Sequence, residues 1–111
     1  MRISTRDAGG VTILDLKGKI TIGGGDVELR DAVVEALAAG SLSILLNLKR
    51  VSALDSSGVG EIVASYKTLA NRGGKLKLEN LSPKVTDVLM LTELLKVLEI
   101  FEDEQEAVES F

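Results

Sequence analysis

The chain has 111 residues, 45% of them apolar, yet only two phenylalanines, one tyrosine and no tryptophan, so a core must be built from close-packed Val, Leu, Ile and Ala. A formal charge of −4 argues against a nucleic-acid partner, whose phosphates call for clustered Lys and Arg. Without cysteine or histidine the chain lacks disulfides, thiolate sites, the commonest metal ligand and the commonest general base, so no catalytic residue, metal or cofactor is expected.

Arg2 to Asp7 and Val11 to Lys17 are β-prone stretches separated by Ala8-Gly9-Gly10, a turn signal that pairs them as an antiparallel hairpin. After Gly18 and the run Gly23-Gly24-Gly25, apolar residues Leu29, Ala32, Val33, Ala36 and Leu37 recur at helical spacing, with Asp26 placed as an N-cap and Gly40 as the stop. Ile44-Leu45-Leu46-Asn47-Leu48 is the nearly continuous apolar run expected of a central strand buried on both faces. Residues Ser52 to Ser57 read as a polar connection. A second helix follows, marked by Val59, Ile62, Val63, Tyr66, Leu69 and Ala70 and closed by Arg72-Gly73-Gly74.

Lys75 to Glu79 alternates strictly, which predicts one buried face and one charged face in solvent. Ser82-Pro83 opens a third helix with an N-cap and a proline in the first turn, and Leu89, Met90 and Leu91 read as core. A strand near Leu98 to Phe101 and an acidic last helix complete the pattern; the run from Glu102 to Glu109 is a solvated face or a contact for a basic partner. Strands alternating with helices after a hairpin predict one α/β domain over residues 1–111: a mixed, mostly parallel sheet with an N-terminal antiparallel hairpin and about four α-helices. The longest apolar run, near Leu42 to Leu48, is far shorter than the roughly 20 residues of a spanning helix. The amino terminus lacks a signal-peptide profile, so the expectation is a cytoplasmic protein without membrane insertion.

The chemistry concentrates in Asp55-Ser56-Ser57-Gly58. Partner and ligand sites of parallel α/β sheets lie beyond the carboxyl ends of the strands, where loops enter helix amino termini, and this segment occupies such a place. A phosphoryl group there brings about −1.5 to −2 charges, which the positive end of a helix dipole partly compensates but a desolvating partner surface does not. Read alone, the same residues are ordinary capping and turn chemistry.

The segment Val51-Ser52-Ala53-Leu54-Asp55-Ser56-Ser57-Gly58-Val59-Gly60, after Ile44-Leu45-Leu46-Asn47-Leu48, resembles the signature of anti-sigma factor antagonists of the STAS family. Similarity continues through Tyr66-Lys67, Gly73 to Leu76, Leu81-Ser82-Pro83-Lys84-Val85 and Leu94 to Phe101, nearly the whole chain. The resemblance implies a STAS domain that binds an anti-sigma factor with a GHKL-type serine kinase fold. It places phosphorylation on Ser56, support for that loop on Asp55, Ser57 and Gly58, and removal of the group by a PP2C-type phosphatase. The implied partner face comprises Thr21, Gly24, Ser56, Ser57, Val59 and Glu61, with Thr21 standing where the family commonly has Asp. The alternative is a STAS adaptor without switching, in a stress-signalling scaffold or a lipid-transport complex.

Other readings of these residues are weaker. Gly23-Gly24-Gly25 lacks the Lys-Ser or Lys-Thr pair of a P-loop, Asp15 and Asp55 lack the acidic neighbour and lysine loop of a phosphoacceptor aspartate site, and Ser56 has no histidine to activate it as a nucleophile.

Overall fold

The computed structural model describes residues 1–111, apart from the side chain of Leu95. Strands β1 (Arg2–Ala8) and β2 (Val11–Ile20) form the hairpin; α1 (Gly25–Ala38), β3 (Ser43–Leu54), α2 (Ser56–Asn71), β4 (Lys75–Glu79), α3 (Pro83–Leu91), β5 (Ile100–Phe101) and α4 (Glu104–Glu109) follow. A short 3-10 turn, Leu94–Lys96, joins α3 to β5. The sheet order is β1-β2-β3-β4-β5, antiparallel between β1 and β2 and parallel elsewhere, which bears out the mixed sheet, the hairpin and the four helices. Ala8 pairs with Val11 across Gly9 and Gly10, both at positive φ (58° and 87°), the backbone of a two-residue turn whose twist matches the strands.

The central strand shows why its run is almost wholly apolar. Ile44, Leu46 and Leu48 point into the main core with Leu29, Val33, Ile62, Leu69, Val85 and Leu89 of the three longer helices. Leu45 points the other way, onto Val11, Ile13 and Ala107 of α4. α1, α2 and α3 therefore share one face of the sheet, and α4 lies on the other.

Several details depart from the sequence reading. β3 runs on to Leu54 instead of stopping near Leu48, because its second half pairs with the end of β2, Gly18 opposite Val51 and Ile20 opposite Leu54. α1 starts two residues earlier than an Asp26 cap implies: Gly24 is its N-cap, and Asp26 sits in the first turn, accepting from the Val27 N–H at 2.8 Å. Gly25 makes this start possible, since a Cβ there would overlap the Lys19 carbonyl oxygen. Leu89 is buried as expected, but Met90 and Leu91 are exposed, at 60% and 86%.

Of the expected solvent-facing charges of β4, Lys75 is exposed, but Lys77 and Glu79 are buried, at 2% and 0% exposure. α4 covers them. Lys77 Nζ donates to the carbonyl and hydroxyl oxygens of Ser110 (2.8 and 2.9 Å), pairs with Glu99 at 3.3 Å and lies 4.8 Å from the Phe111 ring centre. A buried ammonium is tolerable when its donors and charge are met this fully, and here it fastens the last helix at its carboxyl end. The two glycine-closed helix ends, Gly40 and Gly73 at φ 91° and 77°, and the Ser82 cap with Pro83 follow the sequence reading.

Candidate functional site

Two chain segments meet at the carboxyl ends of β2 and β3. β2 ends at Ile20, directly opposite Leu54, the last residue of β3. From Ile20 the chain passes through Thr21 to Gly24 into α1; from Leu54 it passes through Asp55 alone into α2. The two helix amino termini thus stand side by side, which is why a loop of one residue and a loop of four can cooperate.

Asp55 is the N-cap of α2, in extended backbone, and its carboxylate joins both segments. Oδ1 accepts from the Gly58 N–H at 2.9 Å, closing the first turn of the helix, and Oδ2 accepts from the Ile22 N–H at 3.0 Å in the neighbouring loop. These backbone donors, Gly58 first and then Ile22, hold the carboxyl below the usual carboxylate range. The Asp55 N–H donates in turn to the Ile20 carbonyl at 3.3 Å. Gly58 completes the junction, because a Cβ there would overlap the Ile20 carbonyl oxygen and press on Leu54.

Ser56 is the first residue of α2 and is exposed. Its hydroxyl makes no hydrogen bond among the described residues; capping is done entirely by Asp55. The ambiguity of the sequence, where Asp and Ser both suit a cap, is resolved in favour of Asp55, which leaves Ser56 exposed. Ser57 is half-buried beside it. Thr21 and Gly24 are half-buried in the neighbouring loop, where the Thr21 carbonyl accepts from the Gly24 N–H at 3.3 Å. Glu61 lies one turn into α2 and pairs with Arg30 of α1 at 3.4 Å, tying the two helices together next to the loops. Val59 differs from the other five: at 9% exposure it packs into the core and offers the surface almost no side chain.

The structure adds Ile22, which the sequence reading passed over. It is 76% exposed, one hydrogen bond away from Asp55, with Val27 of α1 exposed at 43% nearby in the chain. An isoleucine that follows the alternation Leu14, Leu16, Ile20 but falls directly before three glycines, past the end of the strand, was the available signal. Neither the groove between β1 and α1 nor the depression on the opposite sheet face includes a residue of these two loops. A surface of this kind, an exposed hydroxyl beside an exposed apolar side chain on rigidly joined helix ends, suits a protein partner better than a small ligand.

The STAS domain family profile matches residues 2–107. The chain is 31% identical over 100 residues to an anti-sigma F factor antagonist of Paenibacillus polymyxa, covering 89% of this chain and 85% of that protein. It is 34% identical over 87 residues to an anti-sigma-B factor antagonist of Bacillus subtilis, covering 78% of each. In fold it resembles the Bacillus cell fate determinant SpoIIAA in its phosphorylated form, with a TM-score of 0.75 at 23% identity over 98% of both chains.

Proposed function

The chain belongs to the STAS domain family, and from that premise we propose that it is an anti-sigma factor antagonist whose grip on its partner is broken by phosphorylation of Ser56. The observation that carries this reading is the division of labour at the start of α2. Asp55 supplies every side-chain bond that fixes the loop, and the adjacent Ser56 hydroxyl is exposed and uncommitted. A group transferred to Ser56 therefore breaks no bond of the domain.

In the unmodified state the partner, an anti-sigma factor with a GHKL-type serine kinase fold, packs on Thr21, Ile22, Gly24, Ser56, Ser57 and Glu61, with Val59 holding the helix beneath them. Its binding frees the sigma factor. Transfer of the γ-phosphoryl group of ATP moves it to Ser56 Oγ, with loss of the hydroxyl proton and departure of ADP. The phosphate adds about −1.5 to −2 charges to a surface the partner has to desolvate. A penalty of about 2.8 kcal/mol weakens the complex about a hundredfold, which is enough to switch it off. A PP2C-type phosphatase restores the hydroxyl. That two relatives are antagonists of anti-sigma factors, and that the fold is solved elsewhere in a phosphorylated form, supports the reading.

The test has two arms. Incubation with the cognate kinase and ATP followed by mass mapping should place the phosphate on Ser56, and Ser56→Asp should lower partner affinity about a hundredfold. Phosphate on another residue refutes the site. Unchanged affinity of the Ser56→Asp variant refutes the switch and favours a constitutive adaptor.

A further inference from the structure

The sheet face that carries α4 is only half covered. α4 lies over Val11, Ile13 and Leu45, toward the start of β2 and β3, and Arg6 of β1 fastens it by holding Glu104 at 2.6 Å. Toward the end of β2 the same face is open and sinks into a depression of about 500 Å3, lined by Arg2, Lys17, Lys49 and Arg50 with Ser4 and Asn47. All four cations are exposed, and among the described residues none takes part in an ion pair. The acid in the wall, Asp15, is already held by Arg6 at 2.6 and 2.9 Å and by the Asn47 amide at 2.8 Å.

The arrangement of these cations is costly to the fold. Arg2 stands opposite Lys17, and Lys17 opposite Arg50, so three like charges form a row across three strands at a spacing of about 4.8 Å. Directly opposed like charges destabilise a sheet. A bulge adds the fourth: Asp15 faces Asn47 but Lys17 faces Arg50, so β3 carries one extra residue, and Lys49 and Arg50 both reach the depression. In a chain of formal charge −4 this is a local concentration of positive charge that only the folded sheet assembles.

We propose that this open half-face is a second docking surface, taking an acidic segment of a partner protein that lies on the sheet beside α4. The chain's own use of the face is the precedent, since its acidic α4 docks there through Glu104 on Arg6. The same contact repeated on Arg2, Lys17, Lys49 and Arg50 neutralises the row and continues the layer that α4 begins. No aromatic side chain lines the depression, so a nucleotide base has nothing to stack on. The surface is on the sheet face opposite α2, and its occupancy is independent of the charge state of Ser56.

The probe is a blocked twelve-residue helical peptide of Glu and Ala, titrated into the 15N-labelled protein at low salt. Amide shifts should appear at Arg2, Ser4, Lys17, Asn47, Lys49 and Arg50. Affinity should fall about tenfold in the Lys49→Gln, Arg50→Gln double variant, the effect of two lost exposed charge contacts. It should fall by a smaller factor in the single variant Arg2→Gln, weaken with added salt and stay unchanged in Ser56→Asp. The double variant should melt no lower than the parent, because it relieves repulsion; a lower melting temperature overturns the proposal by making the row structural. Shifts elsewhere, or equal affinity in the double variant, also overturn it. So does tighter binding of inorganic pyrophosphate than of the peptide, or capture by anionic phosphatidylglycerol vesicles without peptide shifts.

Discussion

Replacing Glu79 by Gln should make the protein more stable at pH 8 and leave it nearly unchanged at pH 5. Glu79 has no exposed surface, one carboxylate oxygen bonded to the Asn80 amide at 2.7 Å, and the other, Oε2, without a partner when the group is charged. Burial first, and the neighbouring Glu104 second, push its pKa up from 4.5 to about 7; when protonated it donates to Glu104, which Arg6 holds as the charged member of the pair. The folded-state value lies above the unfolded one, so the folded protein binds the proton more tightly. The stability from this group is complete below about pH 4.5 and is lost as pH rises through about 7. One proton gives a slope of at most about 1.4 kcal/mol per pH unit, hence a fall of at most about 3 kcal/mol across that window. Asp15, Asp55 and Glu104, all held below their ordinary values, lose their contributions only at lower pH and do not mask the fall. Gln copies the protonated form, able to donate to Glu104 at every pH. Urea unfolding at about pH 5, 6.5 and 8 should show the parent midpoint dropping by about 1–2 M while the variant stays flat. Equal slopes in parent and variant would refute the buried-proton argument.

Three further predictions test the junction of strands and helices. Gly58→Ala and Gly25→Ala force a methyl group onto backbone oxygen atoms of Ile20 and Lys19, and each should lower stability by about 3 kcal/mol, at the upper end for overpacking, measured by urea unfolding. Asp55→Ala should speed hydrogen exchange at the Ile22 and Gly58 amides, whereas Ser56→Ala leaves both unchanged because its hydroxyl fixes neither. Ser82→Ala removes the α3 cap and the 2.8 Å bond to the Val51 carbonyl, and should lower stability by about 1 kcal/mol with partner binding intact.

What the sequence made legible was local. The Gly9-Gly10 turn, the Gly40 and Gly73 stops, the Ser82-Pro83 start and the doubly buried run at Ile44 to Leu48 each depend on a residue's own backbone preference or on a short apolar pattern, and each appears where it was read. What was illegible depends on segments far apart in the chain. Lys77 and Glu79 alternate as a surface strand does, and nothing in that pattern announces a helix 25 or more residues later that covers them. Asp26 has the chemistry of a cap but lost the position to Gly24, because close packing of Gly25 on Lys19 sets where α1 begins. The basic row of Arg2, Lys17 and Arg50 is likewise a product of register. For the candidate site, the motif offered Asp55 and Ser56 alike as caps, and only geometry gave the capping to Asp55 and left Ser56 exposed.

Under the proposed switch, the capping of α2 by Asp55 would let a charge be added at the helix start without loosening the domain. Had Ser56 been the cap, esterifying its hydroxyl would have disturbed the bond that closes the first turn, a contribution of about 1 kcal/mol. With Asp55 in that role, Ser56 is one position inside the helix and exposed, and a group added to it would leave the bonds to Ile22, Gly58 and Ile20 in place. The rest of the domain is held by packing that the loop does not share: α1, α2 and α3 on one apolar face and α4, pinned through Lys77 and Arg6, on the other. On the proposed reading, a phosphate on Ser56 would therefore act at the partner's surface, changing affinity, and little of its energy would reach the fold.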